Sequence, residues 1–97
     1  MRLILRAIGA SYETQVLVAG VGRVDFVVEG WLIIECDSRE FHSGWEAQVR
    51  DRRRDCAAAQ QGYVTVRPIA ADLLGDDSGV RQMLEGVIHA LGPKFTS

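Results

Sequence analysis

The chain has 97 residues, a formal net charge of -2 and 47% hydrophobic residues, values typical of one small globular domain spanning residues 1–97. No apolar run approaches the length of a membrane span and the N-terminal residues do not resemble a signal peptide, so we expect a cytoplasmic protein without a membrane partner. Two cysteines are too few for a disulfide framework, and with the two histidines they lack the spacing of a zinc site.

The first predicted elements are a short helix and a strand. Apolar residues recur at helical spacing over residues 1–8, and Gly9 is a typical helix stop. Residues 13–19 predict the first strand. Gly20-Val21-Gly22 then predicts the turn that leads into the second strand.

Residues 23–37 predict two further strands joined by a tight turn. Apolar and β-branched residues alternate or run together on both sides of Gly30. Three carboxylates, Asp25, Glu35 and Asp37, interrupt these apolar strands. Because acids are seldom buried without a partner, they are candidates for a binding site.

The length of the loop decides whether these acids meet. A three-residue loop over 28–30 places Asp25 opposite Ile33 and brings the acids to one face of the sheet. A two-residue loop over 29–30 would place Asp25 beside Ile34 and send the acids to opposite faces, because a shift by one residue reverses every side chain. We predict the three-residue loop. Solvated acids on an open face are the alternative.

A helix is predicted over residues 43–61, with Ser43 and Glu46 as a capping box. Its projection predicts that Arg50 and Arg54 point away from the core and that Asp51 lies on one flank. The predicted inward stripe consists of Trp45, Val49, Cys56 and Ala59, with Arg52 also inside it and in need of an acidic partner if buried.

The last predicted elements are a strand over residues 63–68 and a helix over residues 78–91. The helix carries the clearest amphipathic pattern in the chain, and Gly92-Pro93 ends it. The element order predicts an α/β fold with a mixed four-stranded central sheet flanked by helices on both faces.

Five short motifs resemble a nuclease family. They are Arg-Val-Asp-Phe at 23–26, Glu-Cys-Asp-Ser at 35–38, Phe-His at 41–42, the Arg/Asp-rich segment 50–55, and Gly-Tyr followed by a strand at 62–67. Together, across residues 13–74, they resemble the PD-(D/E)XK superfamily, and most closely a small bacterial branch related to the very-short-patch-repair endonucleases. The resemblance implies a restriction-endonuclease-like fold.

The resemblance also implies an activity: metal-dependent cleavage of DNA phosphodiester bonds, in repair or in defence. Asp25 would be the metal bridge for Mg²⁺ or Mn²⁺, and either Glu35, or Asp37 together with the carbonyl of Cys36, would complete the site. His42 would act as general acid or base or hold a phosphate, with capping of the helix as its structural alternative, and Asp51 matches an acidic position near the active site. Candidate contacts to DNA are Gln15, Arg23, Arg50, Arg54 and Arg67; for Arg67 an ion pair within the protein is the alternative.

Two departures from the family pattern bear on activity. The usual lysine two residues after the glutamate is Asp37 here, and Lys94 is the only lysine in the chain. A glutamate that the family carries further upstream in the first helix would precede this sequence, so the chain could be the C-terminal part of a longer protein. Two alternatives therefore stay open: a catalytically silent module that binds DNA or a protein, and a toxin–antitoxin or defence component. A homodimer and a fusion to an upstream domain both remain open.

Overall fold

The computed structural model describes residues 1–36 and 44–92 and has an α/β architecture. Its sheet has four strands in the order β1-β2-β3-β4; the first two pairings are antiparallel, and β3 and β4 are parallel. The predicted mixed four-stranded sheet is therefore confirmed. The elements are α1 (Arg2–Ala7), β1 (Tyr12–Val18), β2 (Gly22–Val28), β3 (Leu32–Ile34), α2 (Trp45–Gln60), β4 (Val64–Val66), α3 (Ala70–Leu74) and α4 (Ser78–Leu91).

Two hydrophobic cores lie on the two faces of the sheet. The larger one, here called the α4-side core, joins the sheet to α1 and α4 through Ile4, Leu5, Val28, Leu32, Ile34, Val80 and Leu84. The smaller one, the α2-side core, joins the other face to α2 through Val18, Val24, Val27, Ile33 and Ala58. Helices therefore cover both faces, as the alternating pattern of β2 and the apolar run of β3 predict. The short helix α3 was not predicted, since five residues carry too little periodicity to be recognised.

The helix ends explain where α1 and α2 stop and start. Gly9 follows α1 with a φ of 74°, and Ala10 N donates to Leu5 O at 3.0 Å, the hydrogen bond of a Schellman motif. Helix α2 has Gly44 as its N-cap, without a side-chain capping bond, so the predicted start at Ser43 is one residue early. Ser43 itself lies outside the described residues. No helix within the described ranges is long and apolar enough to cross a bilayer.

The turn between β2 and β3 has the hydrogen bond of a two-residue turn, but its strands pair as they would across a three-residue loop. Glu29 and Gly30 have φ values of 54° and 78°, and Trp31 N donates to Val28 O at 3.2 Å, which is the two-residue turn. The strands nevertheless pair Val28 with Leu32, because Trp31 is an extra residue on the β3 side. This register keeps Asp25 and Glu35 on one face, as predicted for these two acids, but the predicted pairing of Asp25 with Ile33 is wrong by two residues.

The β1–β2 ladder changes its facing direction at Gln15 and Asp25. Thr14 pairs with Phe26, and pairing resumes between Val16 and Val24. Phe26 packs on the α4-side core, whereas Val24 belongs to the α2-side core, although strict alternation would put both on one face. Gln15 has a φ of 51°, a left-handed value that is uncommon for a residue with a side chain. Irregularities of this kind redirect side chains, and here the redirected position is that of Asp25.

The inward face of α2 differs from the predicted stripe. Ala58 is the fully buried residue of this helix, whereas Trp45, Cys56 and Ala59 are exposed. Arg54 and Asp55 share the sheet-facing side with Ala58 at one turn from it, and Asp51 lies on the same side two turns away. The physical reason is that charged side chains on this face find partners across the sheet, and the small alanine allows a close approach.

Candidate active site

Asp25 on β2 and Glu35, the residue that follows β3, are neighbours: the Glu35 carboxylate accepts a hydrogen bond from the Asp25 backbone N–H and feels the charge of Asp25. The β2–β3 ladder pairs Val28 with Leu32 and Phe26 with Ile34. The next pair in this register would be Asp25 and Glu35. Cys36 N donates to Asp25 Oδ2 at 3.0 Å, which fixes the Asp25 carboxylate against the end of β3. Both residues are half-buried. Two of the three predicted acidic ligands are therefore neighbours.

The Glu35 carboxylate is the electrostatically perturbed group of this site. Its side chain is 15% exposed, and no described residue hydrogen-bonds to its buried Oε1. Burial raises the pKa of Glu35 above its ordinary value of 4.5, and the charge of Asp25 raises it further. The positive charges of Arg54 and Arg67 lower the pKa of Glu35. Such a carboxylate gains stability from a cation or from a proton.

Arg54 connects α2 to the sheet instead of pointing into solvent. Its Nε donates to Val21 O at 3.0 Å and its Nη2 to Arg23 O at 3.1 Å. The same Nη2 lies 3.8 Å from Glu35 Oε1. The predicted outward orientation of Arg54 is therefore wrong. The guanidinium is held by carbonyl oxygens of the β1–β2 turn and of β2, so its charge is fixed beside Glu35.

Arg67 closes an ion pair, the alternative that the sequence left open for it. Its Nη2 and Nε donate to the two carboxylate oxygens of Asp55 at 2.7 and 3.2 Å, and its Nη1 lies 3.8 Å from Asp51. The hydrogen bond with Asp55 raises the pKa of Arg67. Asp51 thus faces an arginine, and its predicted role near the active site stays a prediction. Asp55 was not predicted as a site residue, although its one-turn spacing from Asp51 placed both acids on one flank of α2.

Three of the remaining predicted residues have exposed side chains, although Gln15 lies across the β1–β2 ladder from Asp25. Arg23 and Gln15 are exposed on β2 and β1, and Arg50 is exposed on α2. Asp37 and His42, the third predicted ligand and the predicted acid or base, lie outside the described residues.

The donor set bears on which chemistry the site can support. Within the described ranges, no three His, Cys, Asp or Glu side chains are grouped closely enough to hold a metal ion. Asp25 and Glu35 nonetheless offer carboxylate oxygens side by side, the ligand type that Mg²⁺ prefers. Burial raises the pKa of the Cys36 thiol, and Asp25 adds to this effect. Cys36 therefore stays protonated and is a poor nucleophile.

Comparison with known proteins gives no match: no family model, curated protein or solved structure is similar to this chain. The resemblance to the PD-(D/E)XK nucleases therefore stays a prediction from the sequence motifs.

Proposed function

We propose that this protein is a metal-dependent nuclease that hydrolyses DNA phosphodiester bonds. The observation that carries the proposal is the pair Asp25 and Glu35, with Glu35 Oε1 buried and without a hydrogen bond from any described residue. Two adjacent carboxylates repel each other, and a divalent cation removes that repulsion. The element order around the pair, three strands followed by a helix and a parallel strand, also agrees with the family that the motifs resemble.

Asp25 and Glu35 would hold the cation, with Asp37 as the further carboxylate. When bound, Mg²⁺ or Mn²⁺ would polarise the scissile phosphate and lower the pKa of a water molecule. The backbone N–H of Cys36 orients Asp25 through its Oδ2 atom, so the other carboxylate oxygen remains for binding. Arg54 limits the negative charge that builds up around Glu35. His42 would be the proton carrier.

The second candidate is a catalytically silent module that binds DNA or a protein. The double hydrogen bond between Arg67 and Asp55 favours it, as does the bond from Cys36 N to Asp25. These contacts satisfy acids within the protein itself. In such a module the acids would serve only to hold α2 against the sheet.

Cleavage of supercoiled plasmid separates the two candidates. Wild-type protein is incubated with Mg²⁺ or Mn²⁺, with EDTA as one control and the exposed-acid variant Glu85→Gln as another. For a nuclease we expect metal-dependent nicking that falls by about 100-fold or more in Asp25→Asn and is unchanged in Glu85→Gln. Absence of nicking from folded wild-type protein with either metal would reject the nuclease.

Metal binding is measured separately from cleavage. If Asp25 and Glu35 hold a cation, the melting temperature of wild-type protein should rise with Mg²⁺ or Mn²⁺ concentration, because a ligand stabilises the state that binds it. Asp25→Asn should abolish the rise. In a silent module neither protein would respond. Asp25→Ala would then only lower stability, by about 1–3 kcal/mol for the unpaired Cys36 N–H.

A further inference from the structure

The outer side of α2 carries an apolar and basic surface that the described residues leave exposed. Trp45, Val49, Arg52 and Arg53, here called the basic stripe, follow one side of the helix at one-turn spacing. Trp45 is 66% exposed, and the Arg52 guanidinium lies 5.5 Å from its ring centre. Two surface grooves of about 570 and 430 Å³ share Trp45, Val49 and Arg53. The stripe is the surface that the amphipathic pattern predicted to face the core.

The stripe has a net positive charge. Arg50 lines the larger groove beside Arg53, and Glu46 is the acid that lines it. Exposed tryptophan and arginine are the residue types most enriched at the energetic centres of protein interfaces. The aliphatic Val49 within both grooves suits a protein side chain better than a nucleotide base. These features fit an apolar side chain flanked by carboxylates.

The chain itself carries such a surface around α3. Leu74 is 86% exposed and Ile69 is 40% exposed. Asp72 and Asp76 are also exposed, and both line a third groove, of about 330 Å³. Ile69, Asp72, Leu74 and Asp76 are here called the acidic patch. Its pattern, an apolar residue between carboxylates, is complementary to the basic stripe.

The two surfaces lie on opposite faces of the sheet. Helix α2 packs on the α2-side core through Ala58, whereas Leu73 of α3 packs on the α4-side core. One molecule therefore cannot bring its own stripe and patch together. Two copies can bring a stripe and a patch together, and the bound pair still has one stripe and one patch free.

We propose that this protein assembles head to tail, with the acidic patch of one copy docked on the basic stripe of the next. Leu74 enters the groove beside Trp45 and Val49, and Asp72 pairs with Arg52 or Arg53. Because the contact joins two different surfaces, it repeats into chains or closes into a ring. The assembly does not depend on the nuclease activity proposed above.

The test uses two variants, each with one surface removed. Trp45→Ala/Arg53→Glu removes the basic stripe, and Asp72→Lys/Leu74→Ser removes the acidic patch. All four residues are exposed, so the fold should persist, and circular dichroism checks this. Mass is measured by sedimentation equilibrium over a range of protein and salt concentrations. Arg2→Glu/Leu3→Ser is the matched control, since it changes one exposed arginine and one exposed apolar residue on α1.

Wild-type protein and the α1 control should form assemblies that grow with protein concentration and shrink with salt. Each variant alone should remain at the monomer mass of 10.7 kDa. An equimolar mixture of the two variants should reach twice that mass and stop there, because one intact stripe meets one intact patch.

Three results would overturn the proposal. One is wild-type protein that stays monomeric at every concentration. Another is a wild-type dimer whose two variants do not combine, which would indicate a symmetric contact. The third is a monomeric wild type whose stripe variant loses affinity for a fluorescent single-stranded oligonucleotide, which would assign the stripe to nucleic acid.

Discussion

At the scale of single residues, Glu35 is a carboxylate whose neighbours affect its charge in opposite directions. Burial and the neighbouring Asp25 disfavour its charge, while Arg54 and Arg67 favour it. The buried Oε1 atom accepts no hydrogen bond from a described residue, and its ion pair with Arg54, at 3.8 Å, offsets the burial only in part. A site with this balance costs stability, and natural proteins tolerate that cost where function requires it.

Glu35→Gln should therefore change how stability depends on pH. The pKa of Glu35 in the folded state lies above 4.5. Well below that value the carboxyl group is neutral in both states and costs nothing. As the pH rises through the folded-state pKa, the buried carboxylate ionises and the free energy of unfolding falls. Glutamine does not titrate, so relative to wild type the variant should gain stability as the pH rises above 4.5, and the gain should level off once Glu35 is ionised in the folded protein.

Urea unfolding at a series of pH values measures this difference. Glu85→Gln, at an exposed position of α4, is the control. A difference between Glu35→Gln and wild type that does not change with pH would contradict the assigned environment of Glu35.

Arg67→Lys should weaken the contact between α2 and the end of β4. Lysine keeps the charge but cannot make the double hydrogen bond to Asp55. Because the Asp55 side chain is 38% exposed, we expect a loss of only about 1 kcal/mol. A double-mutant cycle with Asp55→Asn isolates the pair. An interaction energy near zero would mean that water replaces the contact at no cost.

At the scale of elements, the β1–β2 ribbon owes its shape to the irregular pair Gln15 and Asp25. The reversal of facing direction lets Val16, Val18 and Val24 pack on the α2-side core, while Tyr12 and Phe26 pack on the other core. The rings of Tyr12 and Phe26 meet edge to face at 5.9 Å. The irregularity thus allows one hairpin to serve both cores, at the cost of a strained backbone at Gln15.

Gln15→Gly should stabilise the fold by up to about 1 kcal/mol. Glycine adopts a φ of 51° without strain, and this gain exceeds its entropic cost. The matched control is Glu13→Gly, an exposed position of the same strand, where the strain is absent and a loss of about 0.5–1 kcal/mol is expected. Chemical denaturation compares the two variants. A loss at both positions would show that the left-handed conformation of Gln15 is not costly.

At the scale of the whole molecule, α2 is held to the sheet by one small buried residue and a set of charged contacts. Ala58 is 0% exposed and lies against Val27 and Ile33. Around it, Arg54 reaches the β1–β2 turn, and Asp55 reaches Arg67 at the end of β4. The close approach at Ala58 sets the distances of these charged groups, and so it also sets the surroundings of Glu35.

Ala58→Leu should destabilise the protein by about 1–3 kcal/mol, because a larger side chain must push α2 away from the sheet. Ala59→Leu adds the same atoms at the next, exposed position and should change stability by no more than about 0.5 kcal/mol. Thermal unfolding measures both. Equal stability of the two variants would mean that α2 does not pack on the sheet through Ala58.

Local side-chain patterns were sufficient to predict the strands and the helices other than α3. β-Branched and apolar residues around Gly30 predict β2 and β3, and the apolar spacing over residues 78–91 predicts α4 within a residue of its bounds. The order of elements then predicts a mixed sheet. These features follow from local patterns of side chains, which the sequence records directly. The shared face of Asp25 and Glu35 was also predicted, because facing direction depends only on whether the loop adds an odd or even number of residues.

Only the tertiary structure decided how these elements face one another. The predicted inward stripe of α2 was wrong because the helix has no dominant apolar side. Ala58 packs against the sheet, whereas Trp45 is exposed. Arg54 donates to a carbonyl oxygen, and Arg67 to a carboxylate, of residues that are distant in sequence. The reversal of facing direction at Gln15 exists because side chains of the β1–β2 hairpin pack on both cores. Each outcome is set by contacts between remote segments, and no local pattern encodes which surface a side chain will meet.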